Sequence, residues 1–129
     1  MVSELFVVRG ETDGASTEGT FELDSDIFYD RVSFIRIPKG MKAKVWFKKL
    51  AGDGETTVAL EFTNDVTAET PSWKALENEK LASSGEVALE KRRPVILRGR
   101  TGKEAFRLRW SQPTATKAYV ELGVEFDEE

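Results

Sequence analysis

The sequence predicts an all-β protein: one domain over residues 1–129, built as an antiparallel β-sandwich, with a jelly roll preferred and an immunoglobulin-like sandwich as runner-up. Three observations lead there. Apolar and polar residues alternate along most of the chain, the period of a half-buried strand. Clusters of Gly, Asp, Pro and Thr separate these runs at the short, regular spacing of sandwich turns. No stretch requires a helix longer than two turns.

The elements follow in order. Leu5 to Val8 and Val32 to Ile37 are nearly continuous apolar runs, as expected of strands covered on both faces. Met41 to Leu50 alternates, with Met41, Ala43, Val45 and Phe47 on one face and Lys42, Lys44, Trp46 and Lys48 on the other. Ala51 to Glu55 contains an Asp-Gly pair, which tolerates positive φ, so a hairpin is expected into Thr56 to Thr63, with Val58, Leu60 and Phe62 inward. Ser72 to Glu79 reads as a strand with an irregular continuation. Glu86 to Glu90 and Pro94 to Arg100 read as short strands. A turn at Arg100 to Lys103 leads into Ala105 to Ser111, where Phe106, Leu108 and Trp110 share a face. After a loop at Gln112 to Thr116, Lys117 to Phe126 turns Val120, Leu122, Val124 and Phe126 inward.

Composition narrows the chemistry. The 129 residues include three Trp and eight Phe, enough apolar surface for a core, and neither Cys nor His. Disulfides, thiolate and imidazole metal ligands, Cys nucleophiles and His bases are therefore absent, and the sequence points to a non-enzymatic structural or binding domain. Ser83 and Ser84 have no His to activate them. Gly52-Asp53-Gly54 joins two strands and does not precede a helix, so it is not a phosphate cradle. No cofactor is expected. Two Asn, one Gln and two Met beside 33% charged residues follow the hyperthermophile tendency. No apolar run reaches the roughly 18 residues of a membrane span. Met1 to Gly10 lacks the features of a secretory leader, so the expected location is the cytoplasm or a particle assembled there, with a mature secreted chain left open.

Charge is segregated. The net charge is −4, but residues 1–30 hold eight acids against Arg9 alone, and residues 91–109 hold eight bases against Glu104 alone. Alternation places Arg98 and Arg100 on one face of their strand and Arg107 and Arg109 on one face of the next, so that a hairpin would present all four together. Three readings compete for that face. Glu121 and Glu125 would pair with Arg107 and Arg109 inside the sheet; or the basic face would meet the acidic block of a second subunit, through Glu11, Asp13 and Glu22; or it would bind nucleic acid phosphates, which the acidic total and a lack of neighbouring aromatics disfavour. Trp46, outward among lysines, reads as an interface residue, as a stacking platform for a sugar ring, or as a ring covered by its own chain. Asp24, Asp26 and Asp30 form a weak calcium candidate, because Phe28 interrupts the ligand pattern and no glycine follows.

Val58 to Leu76 runs Val-Ala-Leu-Glu-Phe-Thr-Asn-Asp, then a loop, then Ser-Trp-Lys-Ala-Leu. This resembles the hairpin of discoidin-like carbohydrate-binding β-sandwiches, and also small jelly-roll structural proteins of phages and archaeal viruses. Val66 to Pro71 stands where the customary form has Asp-Gly before the Trp, so no binding residue is carried over. The leading expectation is a self-associating coat or decoration subunit of a virion from a thermophilic host, with itself and other particle proteins as partners and nucleic acid disfavoured. Its alternatives are a carbohydrate-binding module using Trp46 or Trp73, and a subunit of an extracellular filament or surface layer.

Overall fold

A computed structural model describes residues 3–24, 32–52, 56–81 and 95–128. Within them the chain forms nine β-strands and no helix: β1 (Ser3–Glu11), β2 (Glu18–Thr20), β3 (Ile35–Arg36), β4 (Met41–Gly52), β5 (Thr56–Thr63), β6 (Lys74–Leu81), β7 (Val95–Arg98), β8 (Ala105–Ser111) and β9 (Ala118–Glu128). They make two antiparallel sheets. The first runs β1-β9-β4-β7; the second runs β2-β8-β5-β6, with β3 also pairing β8.

Alternation explains which side chains enter the space between the sheets. Ala43 and Val45 of β4, Leu97 of β7 and Val120, Leu122 and Val124 of β9 face Val58 and Leu60 of β5 and Phe106, Leu108 and Trp110 of β8. Every one of these is buried, which is the arrangement that removes the most apolar surface from water for two sheets. Phe21 and Leu23 close one side, and the Phe21 ring meets Trp110 at 6.3 Å and 56°. The polar end is also satisfied. Gln112 donates to Thr56 Oγ1 at 3.0 Å and Thr116 Oγ1 at 3.1 Å, while Thr12 Oγ1 donates to the Thr116 carbonyl at 2.7 Å.

Among the described side chains the inward faces of β4, β5, β8 and β9 are those the alternation predicts, but two connections differ. The expected β4–β5 hairpin does not form: β4 pairs with β9 and β7, and β5 pairs with β8 and β6, so the chain crosses between sheets after Gly52. The same holds for β7 and β8, which lie in different sheets. Arg98 and Arg100 therefore do not share a face with Arg107 and Arg109. Nor are the early apolar runs covered on both sides, since Val7 and Phe34 are 40% and 38% exposed. The strand expected at Glu86 to Glu90 lies outside the described residues.

Candidate functional site

On the outer face of the second sheet, β8 brings up Arg107 and Arg109, because Phe106, Leu108 and Trp110 take the inner positions. Register then decides their neighbours. Glu61 of β5 stands opposite Arg107 and Ala59 opposite Arg109. On the other side, Ile35 pairs with Phe106, which sets Phe34 beside Arg107. Trp73, just before β6, completes the group, since Ala75 pairs with Glu61.

The contacts are specific. Arg107 Nε donates to Glu61 Oε1 at 2.7 Å, with the two side chains only 21% and 13% exposed. The Arg107 guanidinium lies over the Trp73 ring, 4.3 Å from its centroid. The Trp73 and Phe34 rings meet at 6.5 Å and 47°. A charge-assisted hydrogen bond and a cation–π contact of about 0.5–2 kcal/mol thus hold one half-buried indole and one exposed phenyl ring at the surface. The result is an aromatic ledge backed by an ordered polar pair, gathered from residues 34, 61, 73 and 107. Such a ledge presents aromatic surface held in place by a polar pair whose groups are engaged with each other, an arrangement that suits an amphipathic ligand with flat apolar faces.

No family model matches this chain. No curated protein matches it either. Among solved structures it is similar to the CBM22-1 and GH10 modules of the Clostridium thermocellum endo-1,4-β-D-xylanase 10B, solved with xylohexaose. The identity is 10% and the TM-score 0.46, over 95% of this chain and 25% of that one, so this chain spans a quarter of that chain's length. A likeness of that degree does not bear on the site.

The other sequence-predicted residues are placed as follows. Trp46 is half-buried on the outer face of the first sheet, where its ring lies directly over Gly123 of β9. Glu121 and Glu125 belong to that first sheet and do not reach Arg107 and Arg109; Glu121 pairs with Arg9 at 3.4 Å. Arg109 instead faces Glu18 at 3.6 Å. Arg98 ends β7 and Arg100 begins the following turn. Glu11, Asp13 and Glu22 do come together, with Glu18, around a shallow cleft beside Trp110. Glu11 pairs there with Lys117 at 3.4 Å. Asp13 accepts the amides of Ser16 and Ala15 at 2.8 and 2.9 Å, which hold its carboxyl below the ordinary range. Among the described residues no three carboxylates form a metal-holding group; Asp24 does bridge Arg9 through the backbone, and Asp26 and Asp30 lie outside the described residues. No described helix is long and apolar enough to cross a membrane.

Sequence reasoning named Trp73 and Arg107 separately and missed Phe34 and Glu61 as their partners. The outward position of Arg107 was readable from alternation. The pairing of β8 with both β3 and β5, which assembles the ledge, was not. It also places aromatics on the arginine face, contrary to expectation.

Proposed function

We propose that this chain is a non-catalytic carbohydrate-binding β-sandwich, and that the ledge of Phe34, Trp73, Arg107 and Glu61 is its binding surface. One observation carries the reading: an exposed phenyl and a half-buried indole meet at 47° on the outer face, with the guanidinium of the Arg107–Glu61 pair lying over the indole. A core-forming role does not account for them, because neither ring belongs to the buried cluster between the sheets. Flat apolar rings favour the carbon face of a sugar, and the Arg107–Glu61 bond steadies the guanidinium against the indole before a ligand arrives, which lowers the ordering cost of binding.

The strand order, β1-β9-β4-β7 against β2-β8-β5-β6, is what two interleaved Greek keys generate when β3 is set aside, and it supports the jelly-roll reading of the sandwich. The test is a glycan array with the wild type and Trp73→Ala. We expect hits for the wild type and at least a tenfold loss of affinity in the variant, with a melting temperature lowered by only a few degrees because Trp73 loses its Arg107 contact but no core packing. An array without hits overturns the proposal.

Self-assembly is the second reading. The outer face of the first sheet favours it, since Val7 and Ile96 are 40% and 45% exposed on either side of Trp46. The charge argument behind it is weaker than the sequence suggests, because Glu18 and Arg109 of the two blocks already pair within one chain. Light scattering at low and high salt decides: a monomer throughout removes this reading.

A further inference from the structure

We infer that the ledge selects acidic polysaccharides, chains bearing carboxylates at intervals, over neutral ones; this rests on the carbohydrate-binding reading above. The arginines of that face are engaged very differently. Arg107 is spent: it is mostly buried, its Nε is bonded to Glu61 at 2.7 Å and its face is covered by Trp73. Arg109 is not. Its side chain is 43% exposed and its partner Glu18 is 68% exposed at 3.6 Å, an open, solvent-screened ion pair that contributes little. A ligand carboxylate, able to take a guanidinium by two parallel hydrogen bonds, displaces Glu18 at small cost.

Position matters as much as availability. Arg109 lies two residues along β8 from Arg107 on the same face, about 7 Å away along the strand. Its opposite neighbour on β5 is Ala59, so no large side chain from that position stands between Arg109 and the aromatic ledge. On the other side of the ledge, Arg36 is exposed and is steadied by its Nε bond to the Gly102 carbonyl at 2.6 Å. Arg36 pairs with Ala105, so the backbone positions of Arg36 and Arg109 stand about 13 Å apart along β8, one on each side of the Phe34–Arg107 level. That spacing fits a chain lying along β8 over the aromatics with one anionic group at each end. Single-stranded nucleic acid is the competing polyanion. Glu61 at the centre of the face and a net charge of −4 oppose both polyanions, so the oligonucleotide is included as a probe.

The test is a titration of intrinsic Trp fluorescence at low salt with three probes: hexagalacturonate, cellohexaose and an oligothymidylate of eight nucleotides. We expect hexagalacturonate to bind at least tenfold more tightly than cellohexaose, and the difference to collapse with added salt in the wild type and in Arg109→Gln at low salt. The salt series keeps the test intact should the variant fold poorly. Equal binding of the two sugars, or tighter cellohexaose, overturns the acidic preference and leaves the carbohydrate-binding reading standing. Binding of neither sugar overturns the acidic preference and leaves the carbohydrate-binding reading to the array, while tighter binding of the oligothymidylate than of either sugar replaces it with a nucleic acid ligand.

Discussion

Glu104 is the one acid in the basic stretch from residue 91 to 109, and its position explains why it is there. It is 4% exposed, and it accepts the amides of Arg100 at 2.8 Å, Thr101 at 3.1 Å and Gly102 at 3.1 Å, together with the Thr101 hydroxyl at 3.0 Å. Burial opposes its charge, but these donors outweigh it and hold the carboxyl at about 2. Gly102, at φ +84°, lets the backbone turn its amide toward the carboxylate. Because the folded-state value lies below the ordinary 4.5, the stabilisation is complete above pH 4.5 and is lost as pH falls toward 2. Glu104→Gln should therefore cost about 2 kcal/mol at neutral pH, and its melting temperature should converge on that of the wild type as the pH of the scan is lowered through this window. Gly123 is a second residue whose identity is dictated by a neighbour: a Cβ there would overlap the Trp46 indole. Gly123→Ala should destabilise by about 1–3 kcal/mol and shift the Trp46 emission to the red as the ring is lifted from β9.

At the scale of elements, two turns that look like hairpins are crossings between sheets. The β4–β5 connection and the turn from Arg100 to Lys103 both have the Gly and polar residues of tight turns, and both join strands that pair elsewhere. Nuclear Overhauser contacts should accordingly connect Val45 of β4 with Val124 of β9 and not place β4 beside β5 in one sheet; backbone contacts along a β4–β5 ladder would contradict the fold. The reason for the difference is physical. Alternation reports which face of a strand is buried, so the inward sets Val58 and Leu60, Phe106 to Trp110 and Val120 to Val124 were legible from the residues themselves. Partner choice is settled by how both sheets close over one core, and no local pattern encodes it. Phe34 shows the same limit from the other direction. Its run from Val32 to Ile37 is apolar enough to suggest cover on both faces, yet Ile35 and Ile37 are buried while Phe34 is left outside beside Trp73. The ledge exists only once β3 and β5 flank β8, so its members were visible singly and their grouping was not.

For the molecule as a whole, the separation of charge along the chain is partly undone by folding. Glu18 with Arg109, Glu11 with Lys117 and Arg9 with Glu121 join distant segments of one chain. Long extended ends do not make both termini available for exchange between subunits, since β9 is flanked by β1 and β4 and only β1 is an edge. The surface that remains to be explained is aromatic, and it is asymmetric: Trp110 belongs to the core, Trp46 lies over Gly123 on one sheet, and Trp73 belongs to the ledge on the other. The three tryptophans therefore report three separate places. Their indole N–H resonances, followed by NMR during addition of an oligosaccharide that the array identifies as a ligand, test the central claim most directly. The Trp73 resonance should move with ligand concentration while those of Trp46 and Trp110 stay fixed; movement of Trp46 with Trp73 unmoved would place binding on the opposite sheet and contradict the account.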